Sequence, residues 1–129
     1  MLKRLSWRQT DVSNNISVLV ADDEPMLRRV ITKVLRRWGY DVVAVEDGSQ
    51  AWSKLQLNKF DLHIFDQNMP GYTGTELLTK LKATDPHIKI VISSGDPLSF
   101  ENDLVQPTGF LEKPFVLKGL REKIEGFLV

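Results

Sequence analysis

Short apolar runs alternate along this chain with longer stretches in which apolar residues return at helical spacing. "ISVLVA" (16–21) is β-branched and reads as a buried strand. "PMLRRVITKVLRRW" (25–38) places Leu27, Val30, Ile31, Val34, Leu35 and Trp38 on one helical face. Pro25 suits its first turn and Gly39 the position just past its end. The pattern then predicts a strand at 41–45, a short helix at 49–57, a strand at 61–65, a helix at 74–83 and a strand at 88–93. A brief fifth strand follows at 109–111, then an amphipathic helix over 115–129 despite Gly119 and Gly126. Between the last two strands, 96–108 ("DPLSFENDLVQPT") is bounded by Pro97 and Pro107. Helix geometry allows at most about two and a half turns there. The fourth helix is therefore expected to be short or degenerate.

Strands that alternate with helices imply a parallel sheet covered on both faces. With right-handed crossovers and short loops, the expected architecture is an α/β, doubly wound, five-stranded parallel sheet of order 2-1-3-4-5. Residues 1–15 stand apart as a polar extension ending in Ser13-Asn14-Asn15. They are expected to be flexible, although Leu2, Leu5 and Trp7 would suit a short docked helix. The domain is expected to span 16–129.

Composition narrows the function less than the pattern does. Hydrophobic residues make up 42% of the 129, enough for one domain with a core and against a disordered chain. Seventeen basic residues balance seventeen acidic ones, so no overall charge draws the chain to nucleic acid or anionic lipid. The absence of cysteine excludes a disulfide framework and thiolate metal sites. No apolar run has the length of a membrane span or signal peptide, and the expected location is cytoplasmic.

The chemistry gathers at the strand ends. In an open parallel sheet, ligands sit outside the carboxyl ends of the strands, near the switch point between the first and third. Asp22 and Asp23 follow the first strand and Asp66 the third. Ser93, Ser94 and Gly95 close the fourth, and Lys113 follows the fifth. Glu46 and Asp47 follow the second, an edge strand that contributes least. Three carboxylates in one crevice do not all stay ionised unless a cation joins them, and all-oxygen ligation suits Mg²⁺. A carboxylate flanked by Mg²⁺, an ammonium and a hydroxyl is arranged to receive a phosphoryl group.

The pieces "LVADDE", "FDQNMPG", "ISSG" and "FLEKPF", in this order and at strand ends, resemble the receiver (response-regulator) domain of two-component signalling, a CheY-like, flavodoxin-like fold. The resemblance covers residues 16–129. It implies that Asp66 is the phospho-acceptor and that Asp23 ligates the metal directly. Asp22 would ligate through water or tune the site, and Asn68 would offer its backbone carbonyl. Lys113 would be the phosphoryl counter-ion, and Ser94 the hydroxyl that bonds a phosphoryl oxygen. Gly95 would leave that group room, Phe110 would occupy the aromatic switch position, and Asn68 and Asp96 would tune the phosphoryl lifetime. It also implies a cis Lys113–Pro114 bond. The implied donor is a histidine kinase or histidine-phosphotransfer protein, and the implied output is an unidentified protein. The segment between Ser94 and Lys113 is shorter than usual for the family, and Phe110 lacks the hydroxyl of the frequent Tyr.

Other readings stand beside these. Asp23 or Glu24 also suits capping of the first helix. Ser94 also fits an ordinary strand-end hydroxyl, and Phe110 core packing. Arg28, Arg29, Lys33, Arg36 and Arg37 are either a solvated face or a docking surface for a phosphotransfer partner. His63 and His87 lack a second ligand at metal spacing. At the level of function, the alternative is a phosphorylation-independent interaction module on the same fold. A flavin-phosphate site fits poorly, since "DDEP" repels phosphate. A phosphohydrolase would place its two first-strand acids one residue apart. The domain is expected to catalyse only its own phosphorylation and dephosphorylation, either free-standing or as part of a hybrid kinase or larger regulator.

Overall fold

A computed structural model describes residues 15–114 and 116–129. The N-terminal segment expected to be an extension therefore lies outside the described residues, except Asn15. The elements run β1 (Ser17–Ala21), α1 (Pro25–Arg37), β2 (Asp41–Val45), α2 (Gly48–Leu57), β3 (Leu62–Asp66), α3 (Gly74–Thr84), β4 (Ile90–Ser94), β5 (Gly109–Glu112) and α4 (Leu120–Leu128). The strands form one all-parallel sheet, β2-β1-β3-β4-β5. The final helix starts later than its periodicity predicts. Gly119 precedes it in the left-handed conformation (φ 81°), a break that the apolar spacing does not reveal.

The two-residue period of the strands sorts the core into two layers. Val18, Val20, Leu62, Ile64, Val91 and Leu111 point to one face and meet Ile31 and Leu35 of α1 and Ile124 of α4. Leu19, Ala21, Phe65, Ile90 and Ile92 point to the other and meet Ala51 of α2 and Leu77 and Leu78 of α3. Each fully buried Leu, Ile or Phe side chain contributes roughly 1.5–3 kcal/mol by leaving water. On α1 the buried stripe is narrower than its periodicity suggests: Val30 is 38% exposed, whereas Thr32 is buried.

Local signals set the boundaries. At the end of α1 the Gly39 amide donates to the Arg36 carbonyl (3.0 Å) and the Tyr40 amide to the Leu35 carbonyl (3.1 Å). This closure needs the positive φ of Gly39 (97°). α3 opens with a capping box: Thr73 Oγ1 accepts from the Glu76 amide (3.1 Å), and Glu76 Oε1 from the Thr73 amide (2.9 Å). At Gly48 a side chain would run into the Tyr72 backbone, so only glycine lets the loop after β3 lie across the start of α2.

Where a fourth crossover helix was expected, a single 3-10 turn occupies Pro97–Phe100. Polar side chains then take over the backbone bonding. Gln106 Nε2 donates to the carbonyls of Phe100 (2.7 Å) and Asp103 (2.8 Å), and Ser99 Oγ donates to the Asp96 carbonyl (2.8 Å). Phe100 anchors the segment, packed on Phe110 with ring centroids 5.2 Å apart.

Candidate functional site

The parallel sheet delivers Asp22, Asp66 and Lys113 to one rim. Asp66 is the last residue of β3, and Asp22 directly follows β1. Lys113 directly follows β5, where its amide donates to the Ser94 carbonyl (2.8 Å). Lys113 Nζ lies 3.1 Å from Asp66 Oδ1 and 3.8 Å from Asp22 Oδ2. The Asp66 carboxylate is 5% exposed, yet it keeps an oxygen for chemistry. Among the described residues only Oδ1 accepts hydrogen bonds, from Lys113 and from the Asn68 amide (3.4 Å).

Asp22, Asp23 and Asp66 each bring one carboxylate oxygen within 4.8 Å of the others. Burial pushes the carboxyl groups of Asp22 and Asp66 above the ordinary carboxylate range. For Asp66 the Lys113 hydrogen bond opposes that rise and the neighbouring Asp22 charge adds to it. For Asp22 the Glu24 amide, donating to Oδ1 at 2.9 Å, is the main opposing contribution. Hard carboxylate oxygens, crowded and partly desolvated, with Asp23 exposed toward solvent, match a divalent cation such as Mg²⁺ that retains waters.

The capping alternative for the acids is not what the fold uses. Glu24 occupies the N-cap of α1 without a side-chain cap bond, and it is Asp22 that turns back to hold the Glu24 amide. Ser94 is buried, and its Oγ accepts from the Asp96 amide (3.0 Å), leaving the hydroxyl proton free to donate. A Cβ at Gly95 would meet nothing within 4 Å. Phe110 is half-buried against Phe100. Lys113–Pro114 is cis. Asn68 is exposed next to the acceptor position. Asp47 stays out of the cluster and caps α2 through the Gln50 amide (2.8 Å).

Two supporting contacts carry no sequence signal that would have revealed them. Arg28 Nη1 donates to the Asp22 carbonyl (2.8 Å), bracing the acid pair from α1. Gln67 Oε1 accepts from both the amide (2.9 Å) and the hydroxyl (2.7 Å) of Thr75, tying the loop after β3 to α3.

Residues 18–125 match the response regulator receiver domain family. The chain belongs to that family. The receiver domain protein CpdR of Brucella abortus is 33% identical over 115 residues, covering 87% of this chain and 96% of CpdR. Chemotaxis response regulator CheY4 of Vibrio cholerae has a similar structure, with TM-score 0.81, 29% identity and coverage of 89% of this chain and 100% of CheY4. So does response regulator TrrA of Thermotoga maritima, determined in complex with Mg²⁺–BeF, with TM-score 0.77, 29% identity and coverage of 88% and 99%. A cyclic-nucleotide phosphodiesterase of Dictyostelium discoideum, regA, is 32% identical, but the match spans only 17% of that protein. The receiver fold is thus a phosphoacceptor signalling module of the CheY-like class, and the phosphorylation-independent alternative is not favoured. Receivers of this kind work with histidine kinases and other proteins. No helix among the described residues is long and apolar enough to cross a membrane.

Proposed function

We propose that Asp66 is the residue of this receiver that accepts the phosphoryl group, from a histidine kinase or histidine-phosphotransfer protein. The observation that carries the assignment is the 3.1 Å approach of Lys113 Nζ to Asp66 Oδ1 beside the Asp22–Asp23 pair. Asp66 attacks phosphorus with its carboxylate. The P–N bond of the donor breaks, its electron pair stays on the imidazole, and a P–O bond forms on Asp66. Lys113 holds charge on the transferring group, and Ser94 donates its free hydroxyl proton to a phosphoryl oxygen. Asp22, Asp23, Asp66 and the Asn68 carbonyl would hold Mg²⁺, which when bound neutralises charge on the phosphoryl oxygens. Movement of Ser94 toward the phosphoryl group opens space that Phe110 fills by repacking on Phe100, since Phe110 has no hydroxyl to bond. The unit is residues 16–129, cytoplasmic, and it catalyses only its own phosphorylation and dephosphorylation.

The donor reaches Asp66 past a groove of about 500 Å³ formed by Glu24, Met26, Leu27, Val30, Lys113 and Pro114. Met26 is 68% exposed there, an apolar seat for a partner helix directly beside Lys113.

The test is incubation with Mg²⁺ and acetyl phosphate or a phosphorylated histidine kinase, read by intact mass. One added phosphoryl group is expected, and none in Asp66→Asn. Retained labelling in Asp66→Asn would overturn the assignment of the acceptor. Met26→Asp should slow transfer from the protein donor and leave acetyl phosphate labelling unchanged. Equal slowing of both would remove the docking groove.

A further inference from the structure

α1 carries five cations and no acid between Pro25 and Arg37. In a chain of zero net charge this is a local concentration of positive charge. Its first turn contains no carboxylate: the acids nearest the positive end of the helix dipole, Asp22, Asp23 and the N-cap Glu24, all precede it, while Arg28 and Arg29 lie close to that end. The dipole disfavours cations there. Nor do Arg28, Arg29, Lys33 or Arg36 form an ion pair with any described residue. Two of them are held back by single bonds to main-chain carbonyls: Arg28 Nη1 to Asp22, just past β1 (2.8 Å), and Arg36 Nη2 to Val42 of β2 (3.0 Å). The rest of each guanidinium fork stays available.

These four side chains line a groove of about 410 Å³ together with Thr32 and Ala44 of the edge strand β2. No carboxylate lines it. Thr32 is 7% exposed, and its Oγ1 is buried without a hydrogen-bond partner. A helical threonine usually satisfies its hydroxyl on the preceding turn. Here no such bond is made, and the hydroxyl proton is unspent.

We infer that this groove between α1 and β2 is a binding site for a linear oligophosphate, free or carried on a nucleoside. Cations without a carboxylate partner, two of them positioned by main-chain carbonyls, and a buried hydroxyl without a bond suit phosphate oxygens. The distance along the helix from Arg28 to Arg36 is about 12 Å. That array is too long for one phosphate and matches several linked ones. The site is distinct from the acid cluster. Arg28 connects the two through its bond to the Asp22 carbonyl.

The test is a backbone amide NMR titration of the full chain without divalent metal, using inorganic tripolyphosphate and ATP, with orthophosphate and sulfate at matched ionic strength. Saturable shifts at Arg28, Arg29, Thr32, Lys33, Arg36 and Ala44 are expected with tripolyphosphate. A comparable response to ATP would identify nucleotides as ligands, and a response to tripolyphosphate alone would assign the site to free oligophosphate. The double variant Arg29→Glu, Lys33→Glu should weaken binding at least about tenfold. Thr32→Val should weaken it about threefold without lowering the thermal midpoint. Linear, non-saturating shifts that sulfate reproduces, or unchanged binding in the double variant, would overturn the site. So would silence toward oligophosphate with a response to polyglutamate, which would make the groove a protein surface.

Discussion

The two ends of β3 both bury a titratable side chain, and they treat it in opposite ways. At the carboxyl end, Asp66 sits among other carboxylates, and burial raises its pKa while Lys113 pulls it down. At the other end, His63 is 1% exposed, and burial lowers its pKa. His63 accepts that by staying neutral, with Nδ1–H donating to the Lys89 carbonyl (2.7 Å) and the ring packed edge-on to Phe60 and tilted against Phe65. One end keeps charge in place at a cost; the other removes it. Buried charge is expensive unless paired, so its retention at only one end marks where the chemistry is.

The opposition extends to pH. A carboxyl raised in the fold binds its proton longer than in the unfolded chain. Its stabilising contribution is full below the ordinary value of 3.8 and is lost as pH rises through the raised value of Asp22 and Asp66. A histidine lowered in the fold does the reverse. Its contribution is full above 6.5 and is lost as pH falls from there through the lowered value.

The largest effect should come from removing the cation that makes the carboxyl end tolerable. Lys113→Met is expected to reduce the acetyl phosphate labelling rate roughly a hundredfold, measured by intact mass over time. Labelling within threefold of the parent would remove Lys113 from the transfer step. An intermediate effect is expected at the other end. His63→Phe loses the ring hydrogen bond and should cost about 1 kcal/mol at neutral pH, measured by urea unfolding. The same variant should flatten the decline in stability below pH 6.5, and an unchanged slope would show that His63 is not the group responsible. The smallest effect belongs to Ser93, paired in register with Asp66, whose buried Oγ has no partner. Ser93→Ala should stabilise the fold by no more than about 1 kcal/mol and leave labelling unchanged. A clear loss of stability would mean that the hydroxyl is bonded after all.

The site was readable in the sequence because each of its residues lies at or just after a strand end, and short apolar runs reveal where buried strands stop. Asp22, Asp66, Ser94 and Lys113 needed only the strand order to be brought together. The segment before β5 was readable as far as its proline bounds, but not as a 3-10 turn pinned by Gln106. That outcome depends on side-chain bonds to a backbone whose path is set by Phe100 meeting Phe110. Capping by Asp23 or Glu24 was equally compatible with the sequence. In the fold neither side chain caps α1, and Asp22 instead holds the amide of the N-cap residue Glu24.

The sequence by itself determined the alternation of elements, the order of the sheet and the identity of the acidic, hydroxyl and basic groups at its rim. These follow from local periodicity and from the few ways in which parallel strands can be joined. Only the tertiary structure decided the distances and depths: Lys113 Nζ 3.1 Å from Asp66 and 3.8 Å from Asp22, Thr32 buried with its hydroxyl unspent, Val30 left in solvent, His63 kept neutral. Those outcomes depend on contacts between residues distant along the chain, and burial sets the strength of every charge and hydrogen bond involved.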